Sequence, residues 1–184
     1  MGQEPTGRSR DAARTRERLL RAARELMAER GFDRTTVRDI GERAGVDPAL
    51  IARYYGGKAA LCVAALRAES EESPPADLLD EERMLELLDR VGRHGPGPVF
   101  RCAVQPSGDS ALDTAARAEL DLRMVAPLRD AYRRDGVEGA QLRAEVATAA
   151  FIGVTLARRA GLLGELAAAD TGVLAELLQE LLRP

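Results

Sequence analysis

The sequence predicts an all-α protein of about nine helices, with an N-terminal helical unit over residues 10–70 and a C-terminal one over residues 77–184. Three observations lead there. Apolar residues recur at three- and four-residue steps through nearly the whole chain, and no stretch alternates apolar with polar residues long enough to form a strand. The acidic segment from Ser70 to Asp77, interrupted by Pro74-Pro75, is the clearest break in that pattern. At 184 residues, 45% hydrophobic and 31% charged, the chain can bury a sizeable core and is not of disordered composition.

The first helix is expected over about Arg10–Glu29. Leu19, Ala22, Ala23, Leu26 and Met27 form its apolar stripe, Gly31 ends it, and Phe32 folds back onto the stripe. Thr36 is a good N-cap for a second, short helix carrying Val37, Ile40 and Ala44, with Asp39 three residues on, and Gly45 stops it. Asp47-Pro48 then starts a third helix, with Asp47 as cap and Pro48 suited to the first helical position. That helix buries Ile51 and Tyr55 and ends at Gly56-Gly57. A fourth begins at Lys58 and carries Leu61, Cys62, Ala65 and Leu66. Beyond the break, helices are expected near Asp77–Val91, Pro98–Val104, Asp109–Arg134, Glu138–Ala160 and Asp170–Leu182. Loops cover Gly92–Pro98 and Pro106–Gly108, and Pro127 should kink or split the stretch in which it lies.

Two short helices joined by a tight glycine turn and braced by a longer helix form a helix-turn-helix, here over about residues 36–55. Ala44 permits close helix approach, Gly45 the backbone reversal, and Val46 plugs the gap between helices. Gly41 is small as well, although glycine inside a helix costs about 1 kcal/mol relative to alanine. With Ile51 and Tyr55 inward, the third helix presents Pro48, Ala49, Ala52 and Arg53 outward, with Leu50 and Tyr54 at its edges. The charge distribution agrees with a polyanionic partner. Residues 1–58 hold 13 basic against 9 acidic side chains, and residues 59–184 hold 14 against 21. Lys58 is the only lysine among 27 basic residues.

The run TRERLLRAARELMAERGFDRTTVRDIGERAGVDPALIARYYGGKAAL resembles the DNA-binding domain of the TetR family of transcriptional regulators. The likeness covers roughly residues 12–70. It rests on Gly31-Phe32, the Thr35 to Ile40 opening, Ala44-Gly45-Val46, and Tyr54-Tyr55 followed by Lys58. The resemblance implies that Thr36 and Arg38 contact phosphates or a base edge, that Tyr54 meets the phosphate backbone, and that Lys58 grips a phosphate at a helix N-terminus. Ala49 and Leu50 join that surface. Arg53 is the best base-reading candidate, since arginine bidentate to guanine is the commonest specific contact. Three residues depart from the family pattern: Ala52 replaces a common tyrosine, Asp47 a frequent serine, and Gly57 the usual cap of the fourth helix.

The C-terminal part resembles the family's regulatory domain more loosely, through ALDTAARAELDLRMVAPLRDAYRR and ATAAFIGVTLARRAGLLGELAAAD. The resemblance implies a homodimer built on the last two helices, with an inducer bound in the remainder. Leu174, Leu177, Leu178 and Leu181 make one apolar stripe, and Ala147, Ala150, Phe151 and Val154 another. Either stripe equally suits an intramolecular core. Phe100, Met124, Leu128 and Phe151 are candidates to line a pocket for a small apolar effector, with Arg101 or His94 as polar groups.

The expected function is therefore a ligand-responsive dimeric repressor that binds a palindromic double-stranded DNA operator. The alternative is a helical small-molecule-binding or interaction protein with weakened DNA binding. An enzyme is not expected: HExxH, GxxxxGK[ST] and GxSxG are absent from the sequence, which contains one histidine. No catalytic, metal or cofactor site is assigned. Cys62 and Cys102 show no metal-ligand spacing and read as buried apolar residues, with redox sensing as the alternative. No secretory signal or membrane span is evident, which leaves the cytoplasm as the expected location and no membrane partner.

Overall fold

The computed structural model describes residues 7–72 and 75–183. Among them are eleven α-helices, one π-helical turn and no strand: α1 (Gly7–Arg30), α2 (Val37–Ala44), α3 (Ala49–Tyr55), α4 (Lys58–Glu72), α5 (Glu81–His94), α6 (Pro98–Val104), α7 (Ser110–Leu120), the π turn (Asp121–Val125), α8 (Ala126–Arg134), α9 (Ala140–Arg159), α10 (Gly164–Ala168) and α11 (Thr171–Leu182).

The all-α expectation holds, with differences that have local causes. Helix α4 continues through Ser70 to Glu72, and Ser73 and Pro74 lie outside the described residues. Helix α5 starts at Glu81 rather than Asp77, since Asp80 caps it by accepting from the Arg83 N–H at 2.9 Å. The same helix reaches His94, so Gly92 to His94 are its last turn rather than a loop. The expected Asp109–Arg134 stretch is split at Pro127. Lacking an N–H, Pro127 cannot bond the Arg123 carbonyl four residues back. That carbonyl accepts instead from the Ala76 N–H at 2.8 Å, while the Ala126 N–H reaches back five residues to Asp121, which is the π geometry. The short α10 has no counterpart among the expected helices.

Packing divides into two cores joined by a third. Leu19, Leu26, Ile40, Ile51, Leu61 and Ala65 close the space between α1, α2, α3 and α4. Met84, Leu88, Met124, Leu128, Phe151 and Leu178 fill the interior of the α5, π-turn, α8, α9 and α11 layer. Between them lie Met27 of α1, Cys62 and Leu66 of α4, Val99 and Cys102 of α6, and Leu112 and Ala116 of α7. Fully burying an aliphatic side chain stabilises by about 1.5–3 kcal/mol, so this middle cluster ties the first four helices firmly to the rest. Burial pushes the Cys62 thiol up to about 12 and the Cys102 thiol up to about 11. The joint also holds a polar contact. Glu69 of α4 meets Arg123 of the π turn at 3.4 Å, both largely buried, and a Cβ at Gly97 would lie 2.6 Å from the Glu69 Oε1.

Candidate nucleic-acid interface

Helix α2 is anchored at both ends. The Thr36 N–H donates to Asp39 Oδ2 at 2.8 Å and the Asp39 N–H donates to Thr36 Oγ1 at 3.1 Å, a reciprocal capping box. The Thr36 hydroxyl, which donates to Asp39 Oδ2 at 2.7 Å, and the Thr36 N–H, with Arg30 Nη2 at 2.8 Å from the same carboxylate, hold the Asp39 carboxyl below its ordinary range. At the other end Gly45 takes φ +63°, a left-handed conformation that glycine adopts without strain. The Gly45 carbonyl accepts from Arg18 Nη2 at 3.1 Å, which pins the turn to α1. At Gly41 a Cβ would lie 2.6 Å from Pro48 Cγ, so the missing side chain lets the start of α3 fold over α2. Arg43 adds an ion pair to Glu29 at 2.8 Å.

The rotation of α3 is set by Ile51, which is buried, and by Tyr55, whose hydroxyl donates to the Arg16 carbonyl at 2.9 Å. Asp47 accepts from the Ala49 N–H at 2.8 Å, so its carboxylate is engaged as a helix cap. Ala49, Ala52 and Arg53 are consequently exposed, with Leu50, Tyr54 and Pro48 half-buried. Thr36, Val37 and Arg38 are exposed beside them at the start of α2.

The surface is a narrow, small-residue ridge flanked by cations. Arg53 and Arg16 lie over the Tyr54 ring at 5.8 and 5.0 Å. Lys58 sits at the first position of α4 with Nζ 3.7 Å from the Phe32 ring centroid. Arg38 pairs with Glu42 at 3.0 Å, but both are well exposed, so the pair is weak and exchangeable. A projecting helix of this width fits a major groove, and the flanking cations suit phosphates on either side.

Residues 19–65 match the model of the tetR family of bacterial regulatory proteins. Over this segment the chain is similar to that family. The HTH-type transcriptional repressor Rv3405c of Mycobacterium tuberculosis is 37% identical over 92 residues, which are 50% of this chain and 46% of that protein. The chain thus spans less than half the length of the curated repressor it matches. Two solved structures share the fold over most of the chain. A tetR-family transcriptional regulator from Streptomyces coelicolor superimposes with a TM-score of 0.67 at 22% identity, covering 91% of this chain and 78% of that one. The reduced form of E. coli NemR does so with a TM-score of 0.68 at 19% identity, covering 92% and 95%.

Within the matched segment the structure brings Thr36, Arg38, Ala49, Leu50, Arg53, Tyr54 and Lys58 together along α2, α3 and the first turn of α4. Sequence reasoning placed Pro48 fully outward, whereas it is half-buried against Gly41. It also missed several participants. Thr35 is fully buried and its hydroxyl donates to the Gly31 carbonyl at 2.7 Å, closing the end of α1. Arg16 buttresses Tyr54, Arg18 holds the turn, and Val37 stands exposed on the same face. Nothing in the spacing of Arg16 or Arg18 marks them, because their partners lie far away in sequence.

The four candidates for an effector pocket do not line one cavity. Met124, Leu128 and Phe151 are closed into the C-terminal core. Phe100 packs edge-on against Phe151 with ring centroids 6.3 Å apart, and lines a cleft of about 360 Å³ with Pro96, Arg101, Val104, Leu156 and Arg159. His94 is exposed at the end of α5 and does not line that cleft.

Proposed function

We propose that the protein is a DNA-binding transcriptional regulator, a dimeric repressor that recognises a palindromic operator and responds to a small effector. Residues 10–70 are its DNA-binding unit and residues 77–184 its regulatory and dimerisation unit. The supporting observation is the α2–α3 ridge, on which Arg53 and Lys58 project with no carboxylate partner among the described residues. In this reading Arg53, Ala49 and Leu50 face base edges, and Thr36, Arg38, Tyr54 and Lys58 face the phosphate backbone.

Dimerisation is supported by apolar side chains left outside the fold. The stripe on α11 divides: Leu174 and Leu178 turn into the core, while Leu177 and Leu181 join Val173 on the outside. On α9, Leu142 and Val146 are likewise exposed. A symmetric pair reads two half-sites, which one short helix cannot do alone. The similarity to named regulators supports a regulator rather than an enzyme. Among the described residues no single helix is long and apolar enough to cross a membrane.

The test is selection of bound fragments from genomic DNA, followed by titration at several salt concentrations. Affinity should fall by about 0.9 log unit per log unit of salt for each phosphate neutralised. A flat salt response, or no selected fragment, rejects the reading and leaves a helical small-molecule-binding protein. Asp47, Ala52 and Gly57 favour that second reading as departures from the family pattern, although Asp47 is spent on capping α3.

A further inference from the structure

The cleft between α6 and the C-terminal turn of α9 combines two features that select one ligand chemistry. Its floor is apolar, made of Pro96, Phe100, Val104 and Leu156, and Val104 is 44% exposed although apolar. Its polar groups are Arg101, Arg159 and Gln105, with no aspartate or glutamate in the lining. Neither arginine has a carboxylate partner among the described residues, and the Arg101 Nε is buried with no hydrogen-bond partner. Three nearby acids are committed elsewhere, Asp89 to Arg93, Glu69 to Arg123 and Asp113 to Ser107, while Asp33 shares an adjoining cleft with Arg101 and is not part of this lining. The exposed Arg159 guanidinium lies beside Gly95, where a Cβ would come within 3.1 Å of its Cζ.

A buried donor without an acceptor is unfavourable, and a guanidinium beside apolar surface is matched by a planar carboxylate that accepts in bidentate fashion. A volume of about 360 Å³ lies in the range of small-ligand sites. We propose that this cleft binds a small carboxylic acid with an apolar chain, the chain lying over Phe100, Val104 and Leu156 and the carboxylate meeting Arg101 and Arg159. The inference rests on the regulator reading for its biological meaning, since it names the chemistry of the effector. It differs from the small apolar effector expected from the sequence by the addition of a carboxylate.

The position also suits a signal. Phe100, Arg101 and Val104 line the cleft, while Val99 and Cys102 of the same seven-residue helix pack in the cluster that contains Met27 of α1 and Leu66 of α4. A ligand that moves α6 therefore acts on the helices that carry the DNA-facing ridge.

The test uses the full chain without DNA and reads binding by calorimetry at pH 7.5, with octanoate, octanol and octylamine as probes. Octanoate should bind at least about tenfold more tightly than octanol, the usual value of one charge-assisted hydrogen bond, and octylamine should not bind. Arg159→Gln should remove about tenfold of octanoate affinity and leave octanol binding unchanged, and Arg101→Lys should retain part of the preference that Arg101→Gln loses. Val104→Trp, which fills the cleft, should abolish binding of octanoate and octanol alike while helix content is unchanged. Equal affinity for octanoate and octanol, no binding of either, or an anion preference that survives Arg159→Gln in a folded protein each overturns the proposal. Because no DNA is present, failure here leaves the operator reading standing. Loss of operator binding with octanoate binding intact removes that reading alone.

Discussion

At Lys58 the ammonium group rests 3.7 Å from the Phe32 ring centroid, so the cation is already positioned for the phosphate contact proposed for it. Arg53 is held differently, over the Tyr54 ring on the exposed side of α3. The two should therefore respond differently to substitution. Lys58→Ala should weaken binding to all DNA sequences about equally and lower the salt slope by about one phosphate. Arg53→Ala should cost roughly 1–3 kcal/mol and relax preference at one base position, read on a panel of operator variants. Parallel behaviour on that panel shows the two roles to be wrongly divided. The cysteines make a second residue-scale prediction. With thiols pushed up to about 12 and 11, both are protonated at neutral pH, and the thiolate is the reactive form. Native protein at pH 8 should resist a thiol reagent that labels both residues after unfolding. Rapid labelling of the native state restores the redox alternative.

Among elements, α2 depends most on its ends, because eight residues form too short a helix to persist without caps or packing. Thr36→Ala should cost about 1 kcal/mol in global stability by chemical denaturation. Asp39 adds a pH dependence. Its folded carboxyl is depressed by the Thr36 bonds, so its contribution is present above the ordinary carboxylate range and is lost as pH falls through the depressed value. In Thr36→Ala the acid side of the stability curve should flatten. The same elements show what was legible in the sequence. Thr36, Gly45 and the Asp47-Pro48 pair are punctuation with a local cause, and they located α2 and α3 nearly to the residue. The start of α5 was misplaced because Asp77 and Asp80 are equally good caps, and the Asp80 geometry becomes visible only in the fold. Helix α10 has five residues and no buried side chain, so it leaves no periodic trace. The cleft proposed for an effector was half legible. Phe100 and Arg101 were named, but Met124, Leu128 and Phe151 have the same periodicity as any core residue. Periodicity reports burial and cannot say whether the burying surface is protein or ligand.

For the whole molecule, the uneven charge and the uncovered apolar faces argue together. The basic excess lies in residues 1–58, which include the α2–α3 ridge proposed to meet DNA, while the exposed leucines Leu142, Leu177 and Leu181 lie on α9 and α11. Leu177→Glu should yield a monomer by sedimentation at micromolar concentration, with unchanged helix content and much weaker operator binding. A variant that remains dimeric places the interface elsewhere.

Helix α4 runs from the α2–α3 ridge to the π turn as a single rod. Lys58 stands at its first position, and Glu69, clasped by Arg123 and close against Gly97, lies roughly 16 Å further along at 1.5 Å rise per residue. A pivot of about 7° at the Glu69 end swings Lys58 through roughly 2 Å over a rod of that length, several times the tolerance of a hydrogen bond. In the proposed two-fold pair that displacement would occur on both sides, so the spacing between the two Lys58 side chains would change by up to twice as much. Leverage of this kind needs no unfolding and no reshaping of the ridge; a sub-ångström shift beside the clasp is amplified by length alone.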